Sequence, residues 1–150
     1  MIAGLAGVTH SAVITVKQLG GGDYDTIGEA ITNAFQDDIV EVYAGHYEET
    51  VVIDSNLTLK GMGPQKVIID SPADGITVND NRSATISGFS ITAANNCIKL
   101  NFNVNAVIKN NCLVDCGNDG IWVCGPGGGG ATAATITNNT IAYNGGEIGI

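Results

Sequence analysis

The sequence has 150 residues, of which 44% are hydrophobic and only 5% aromatic, and its formal net charge is −9. This length predicts a single domain, residues 1–150, with a core built from aliphatic side chains. The acidic balance argues against nucleic acid and anionic lipid as partners. No apolar run reaches the ~18 residues that a membrane-spanning helix needs.

Charged residues make up only 14% of the chain, against a usual ~25%, while glycine occurs 21 times. Together with many Asn, Thr and Ile residues, this composition indicates short strands broken by tight turns. It does not indicate disorder, which requires low hydrophobicity and high charge. An acidic, asparagine-rich chain with few charges is typical of secreted and cell-surface proteins, so we expect an extracellular location.

The first predicted element is a short helix over residues 26–36, within the segment DYDTIGEAITNAF. Thr26 and Glu29 have the spacing of a capping box. We expect the helix to cover the open apolar end of the first coil of a solenoid. Its predicted apolar stripe consists of Ile27, Ala30, Ile31, Ala34 and Phe35.

Two strand-rich segments follow, DIVEVYAGHYEETVVI and NLTLKGMGPQKVIID, and a repeat begins after them. The segments GITV, CIKL, GIWV and GEIGI place an isoleucine at equivalent positions. The steps between these isoleucines are 22, 23 and 27 residues, and the longest step contains the insertion GPGGGG. The equivalent residues are Ile76, Ile98, Ile121 and Ile148.

A second set of segments repeats with the same period, because ATISGFSI, AVIKNNCL and ATITNNTI align without gaps. Strands this short cannot form a sheet alone, so we expect each to pair with its equivalent in the next coil, ~4.8 Å away. The sequence therefore predicts an all-β fold, a right-handed parallel β-helix of about 22 residues per coil over residues 39–150. The aligned positions are Ile86, Ile108 and Ile136, and Ile91, Leu113 and Ile141.

Paired asparagines recur within this repeat. Asn111 and Asn139 occupy one equivalent position, where stacked side-chain amides can hydrogen-bond along the axis of the coils. Phe89 occupies that position in the preceding repeat. We therefore predict an asparagine ladder that begins only in the later coils.

The segment GGDYDTIGEAITNAFQDDIVEVYAGHYEETVVIDSNLTLKGMGPQKVIID resembles the start shared by pectin methylesterases and many surface proteins of the pectin lyase-like β-helix superfamily. The resemblance covers about residues 13–70, and the looser NN-x-I repeats cover the remainder. It implies the β-helix fold specifically. It implies much less about activity, because the superfamily includes lyases, hydrolases, esterases, epimerases and non-catalytic chains.

Pectin methylesterases carry a glutamine, a Gln-Asp pair and a second aspartate on successive coils. The resemblance places these positions at Asn96, at Asn118 with Asp119, and at Glu147, and only Asp119 keeps the residue type. The family's arginine has no counterpart, and the motifs of polygalacturonases and uronan epimerases are missing. Whether the protein is an enzyme therefore stays open.

Asp119 and Glu147 have two interpretations. In the first, NDG and GGE before a strand form ordinary turns, since Asn and Gly tolerate positive φ and Asp caps its own turn. In the second, the two residues are catalytic or bind a metal. Carboxylates on adjacent coils would lie about one strand spacing apart, which would raise one pKa and permit acid and base or nucleophile roles.

Strand alternation places Trp122 on the outer surface, in line with Thr77, Lys99 and Gly149 on neighbouring coils. The resemblance implies that polysaccharide binds on this surface. The indole would stack on a sugar ring and Lys99 would hold a uronate carboxylate, with Asn118 close by. In the alternative interpretation, Trp122 packs under the glycine-rich loop that follows it, and Lys99 is a solvated charge.

Four cysteines are present, and no pair has the spacing of a zinc site. They are either buried thiols or form one or two disulfides near Cys112, Cys116 and Cys124. We predict no cofactor and no metal site. Aspartate and asparagine are abundant enough to bind calcium, but no EF-hand spacing supports it.

The segment GEIGI begins a coil that the sequence does not complete. Either the chain is a fragment, or a second copy covers the open end, which predicts an end-to-end dimer. We expect an extracellular domain that binds or processes an acidic polysaccharide. The alternative is a non-catalytic structural or adhesive scaffold that self-associates through this end.

Overall fold

The computed structural model describes residues 11–125 and 130–146, which contain one short helix and fifteen strands. The helix is α1 (Ile27–Asn33). The strands are β1 (Val13–Val16), β2 (Asp38–Val42), β3 (Gly45–Tyr47), β4 (Val51–Ile53), β5 (Leu57–Gly61), β6 (Val67–Ser71), β7 (Ile76–Val78), β8 (Ser83–Ser87), β9 (Ser90–Ala93), β10 (Ile98–Leu100), β11 (Asn105–Lys109), β12 (Cys112–Val114), β13 (Ile121–Val123), β14 (Ala133–Thr137) and β15 (Thr140–Ala142).

The strands form three parallel sheets. The first sheet has the order β1-β2-β5-β8-β11-β14, the second β3-β6-β9-β12-β15, and the third β4-β7-β10-β13. From β2 onward the chain visits the three sheets in turn. It therefore forms a parallel β-solenoid of about five turns, with equivalent residues about 22 positions apart.

The strand registers confirm the predicted repeat. Ile98 pairs with Ile76 on one side and with Ile121 on the other. Ile108 likewise pairs with both Ile86 and Ile136. The fourth predicted isoleucine, Ile148, lies outside the described residues.

The core is a column of aliphatic side chains that point inward from all three sheets. Alternate residues of each central strand are buried, as strand geometry requires. Phe89 is fully buried at the position that later coils give to asparagine. Fully buried members of the core include Val40, Leu59, Ile69, Ile76, Ile86, Ile91, Ile98, Leu100 and Ile108.

The predicted capping helix forms, and it is shorter than expected. The Thr26 hydroxyl accepts a hydrogen bond from Glu29 N at 3.3 Å, and the Glu49 carboxylate accepts from Ile27 N and Gly28 N, both at 2.9 Å. Ile27 and neighbouring apolar residues of α1 are buried, and the helix contacts β1, β2 and β4. These contacts place α1 over the start of the apolar interior.

The prediction that the helix extends to residue 36 is wrong, and so is the placement of Phe35 on its apolar stripe. The helix ends at Asn33, Ala34 is extended, and Phe35 is 81% exposed. Buried Asp38 explains this ending, because its carboxylate accepts from Phe35 N at 2.8 Å and its own N donates to Phe35 O. This turn redirects the chain into β2 before another helical turn can form.

The asparagine ladder is confirmed. Asn111 Nδ2 donates to Asn139 Oδ1 at 3.1 Å and to Ile86 O at 3.1 Å, while Asn111 Oδ1 accepts from Phe89 N at 3.1 Å. Asn139 Nδ2 donates to Ile108 O at 2.9 Å. The ladder thus supplies partners for backbone groups that the turn between the first and second sheets leaves unpaired.

Among the described residues, no helix is long and apolar enough to cross a membrane.

Candidate functional site

The outer face of the third sheet carries the residues that sequence analysis brought together. Lys99 pairs in register with Thr77 on one side and with Trp122 on the other, and Thr77 pairs with Val52. Trp122 is 36% exposed. Three of the four predicted neighbours therefore lie side by side, and the fourth, Gly149, lies outside the described residues.

Lys99 lies between an aromatic ring and a carboxylate. Its Nζ is 5.4 Å from the centroid of the Trp122 ring, within cation–π range, and 3.4 Å from Asp74 Oδ2. The side chain of Asp74 is 17% exposed and that of Lys99 is 32% exposed. Both partners hold the ammonium group beside the indole, so Lys99 is not a freely solvated charge.

A column of polar residues, Asp74, Asn96 and Asp119, borders this face at the turns that precede β7, β10 and β13. We call it the polar column. Asp74 Oδ1 accepts from Asn96 N at 3.1 Å and from Asn96 Nδ2 at 2.9 Å. Asn96 Oδ1 in turn accepts from Asp119 N at 3.2 Å. The side chains of Asp74 and Asn96 and the backbone N of Asp119 thus form a hydrogen-bonded stack beside Lys99 and Trp122.

Asp74 was not among the predicted site residues, and Asn96 was predicted only through the family resemblance. The signal was present in the repeat. Asp74, Asn96 and Asp119 each stand three positions before an outward residue of the third sheet, namely Thr77, Lys99 and Trp122. Extending the aligned segments GITV, CIKL and GIWV by one residue toward the amino terminus would have placed all six together.

Asn118 and Asp119 occupy the turn before β13. Asn118 is exposed, and its backbone N donates to Asn95 O at 2.9 Å. Asp119 is half-buried, and its Oδ1 lies so close to Gly146 that a Cβ on that glycine would be 2.0 Å away. Glu147, the predicted partner of Asp119, lies outside the described residues, so the predicted acid pair stays a prediction.

A disulfide joins Cys97 to Cys116, whose Cα atoms are 5.6 Å apart. The sequence pointed to the neighbourhood of Cys112, Cys116 and Cys124, yet Cys112 and Cys124 are free thiols in the described part of the chain. Closeness in sequence did not predict the disulfide, because the stacking of the coils places Cys116 beside Cys97 of the preceding coil. The bond ties the turn that carries Asn96 to the turn that carries Asp119.

Within residues 11–125 and 130–146, no group of three His, Cys, Asp or Glu side chains is placed to hold a metal ion. The polar column itself offers only two carboxylates. One of them, Asp74, binds Asn96 through Oδ1 and Lys99 through Oδ2. The carboxylate, amide and ammonium groups of Asp74, Asn96 and Lys99 therefore bind one another beside the Trp122 ring.

No curated protein matches the sequence. The model of the family described as "Right handed beta helix region" matches residues 31–150. This agrees with the parallel registers of all three sheets and with the resemblance to the pectin lyase-like superfamily. The chain belongs to the right-handed β-helix family.

Proposed function

We propose that this β-helix domain binds a polysaccharide on the outer face of its third sheet. The observation that carries the proposal is the partly exposed Trp122 ring, with Lys99 held against it and the polar column alongside. An indole offers a flat apolar surface to the C–H face of a sugar ring. The half-buried carboxylate of Asp119, at the end of the polar column, offers acceptors to the hydroxyls of the sugar.

The proposed ligand is an acidic polysaccharide, and Lys99 is the group that would select it. The other outward residues of the third sheet, Val52, Thr77 and Trp122, are uncharged. A uronate carboxylate would compete with Asp74 for the Lys99 ammonium, so a charged glycan gains only modest affinity over a neutral one. Stacking on Trp122 contributes to the affinity of both, because it is independent of charge. Uronans should therefore bind more tightly than neutral glycans. Added salt should reduce this difference in affinity, because it screens the attraction between the uronate and Lys99.

We propose binding without turnover as the primary role. Both carboxylate oxygens of Asp74 are engaged, and the remaining acid of the polar column, Asp119, would have to work with Glu147. An extracellular location is part of the proposal. The Cys97–Cys116 disulfide supports it, because disulfides persist mainly in oxidising compartments.

The test is a titration followed by tryptophan fluorescence, since Trp122 is the single tryptophan of the chain. Polygalacturonate, alginate and neutral glycans should be compared, each with and without calcium. We expect a saturable change with a uronan, and a weaker response to that uronan in Lys99→Met, which removes the charge and keeps the aliphatic stem.

Calorimetry on Trp122→Ala completes the test. We expect affinity to fall about tenfold or more, as for other aromatic anchors, with the thermal unfolding midpoint nearly unchanged. Thr92→Val, at an outward position of β9 on the second sheet, is the control. If no glycan changes the fluorescence, the proposal is wrong. That result would favour a scaffold that self-associates through its C-terminal coil, and sedimentation would detect the self-association.

A further inference from the structure

A groove of about 440 Å³ lies on the outer face of the first sheet, away from Trp122. Its volume falls within the range of ~300–1,000 Å³ typical of small-molecule sites. Three strands, β5, β8 and β11, and the residues that directly precede β2 and β5 contribute to it. The lining residues are Asp37, Asn56, Leu57, Thr58, Ser83, Ala84, Thr85, Asn105 and Val107.

Two rows of side chains form the floor and one wall of this groove. Thr58, Thr85 and Val107 lie in register on β5, β8 and β11. Their inward neighbours are buried, so these three side chains point outward. Asn56, at the wall, directly precedes β5, and its Oδ1 accepts from Ser83 N at 2.9 Å. The rows run along the axis of the solenoid, with a repeat of about one strand spacing, ~4.8 Å.

Most hydrogen-bonding groups in the groove are free to bind a ligand. Within the described chain, the lining side chains make two hydrogen bonds, from Ser83 N to Asn56 Oδ1 and from Gln36 Nε2 to the Asp37 carboxylate at 3.5 Å. The hydroxyls of Thr58 and Thr85 therefore have their donors and acceptors available. The polar column on the third sheet differs, because its groups largely satisfy one another.

Charge limits what this groove accepts. Asp37 is its one charged lining residue, and the chain carries a net charge of −9, so an anionic ligand is disfavoured. Lys60 and Lys109 each follow a lining residue by two positions and do not line the groove, and Lys60 is paired with Glu41 at 2.8 Å. Val107 is the one outward apolar side chain of the floor, too little for the apolar centre of a protein interface.

We propose that this groove is a second glycan site, specific for a neutral, hydroxyl-rich oligosaccharide whose repeating units follow the rows of hydroxyl and amide groups. The site goes beyond the proposed function and does not depend on it, since it shares no residue with the Trp122 face. A domain with both sites could bind two different glycan chains at once. Binding at one site would raise the effective concentration of ligand at the other site only where the two glycan chains are linked to each other.

The experiment is a titration of the ¹⁵N-labelled domain with cellohexaose, xylohexaose and mannohexaose at millimolar concentrations, followed by amide chemical shifts. We expect saturable shifts at Thr58, Thr85 and Asn105 with at least one of them. The double variant Thr58→Val, Thr85→Val should bind that glycan about tenfold more weakly, because it loses two hydroxyls while keeping shape and strand preference.

Trp122→Ala is the matched control and should leave the groove shifts unchanged, which separates the two sites. Should the double variant fold poorly, Asn105→Ala, at an exposed position, tests the same groove. The proposal is overturned if no neutral hexasaccharide shifts the groove amides, or if shifts map only to the third sheet. A groove that responds only to uronates or to a protein would overturn it as well.

Discussion

Two of the stacks of polar side chains along this solenoid differ in their surroundings. The Asn111–Asn139 ladder is inside the turn between the first and second sheets, where Asn111 is 3% exposed and bonds to buried backbone groups. The polar column of Asp74, Asn96 and Asp119 borders the exposed face that carries Lys99 and Trp122, with Asn96 buried and its two neighbours half-buried. The same repeat thus produces one stack enclosed in the interior and one that lies beside a candidate binding surface.

Asn111→Ala should have the largest effect on stability. The substitution leaves Phe89 N and Ile86 O without partners in the interior, at about 1–3 kcal/mol for each buried group. We expect the free energy of unfolding to fall by about 2–4 kcal/mol, measured by denaturant titration. A fall of less than about 1 kcal/mol in the free energy of unfolding, with the fold intact, would show that water replaces the hydrogen bonds of Asn111. The two stacks would then not differ in their contribution to stability.

Asn96→Ala is the matched change in the polar column and should cost about 1 kcal/mol. Asn96 is buried, but the groups that it frees belong to the half-buried Asp74 and Asp119, and Asp74 Oδ1 keeps its hydrogen bond from the backbone N of residue 96. Its effect should instead appear in binding. Affinity for the glycan bound at Trp122 should fall severalfold, since Asp74 and Asp119 lose the residue that spaces them. A stability loss as large as that of Asn111→Ala would make the polar column a structural ladder.

Tyr47 provides the smallest and most specific test. It is 2% exposed and its Oη donates to Tyr43 O at 3.0 Å. Burial raises the pKa of Tyr47 above its usual value of 10.0. A raised folded-state pKa contributes stability that is fully present below pH 10 and is lost as pH rises through the folded value.

We therefore expect the free energy of unfolding to decline above about pH 10, and Tyr47→Phe to flatten that decline. At neutral pH the variant should lose about 1 kcal/mol through the missing hydrogen bond. Tyr143→Phe, at a position 87% exposed, is the control and should leave the alkaline profile unchanged. An unaltered decline in Tyr47→Phe would assign the pH dependence to another group.

The repeating part of the fold was predictable, because its period is written directly in the residues. Each coil uses the same inward positions, so aligning Ile76, Ile98 and Ile121 is equivalent to reading the strand register. The asparagine ladder followed from the same alignment. The strand β1 was not predicted, because it lies outside the repeat. Phe35 was predicted wrongly on the apolar stripe of the helix, because Asp38 ends the helix through a turn that periodicity does not encode.

For the candidate site, the sequence determined which side chains share a column, because alternation within a strand and a fixed period leave no freedom in that choice. Thr77, Lys99 and Trp122 were placed together on this basis alone. Only the tertiary structure decided how those side chains use their groups: that Asp74 binds Lys99, that Cys97 joins Cys116, and that the threonines of the first sheet line a groove. These contacts join residues on different coils or at turns, where the distances depend on how the coils stack and not on the spacing along the chain.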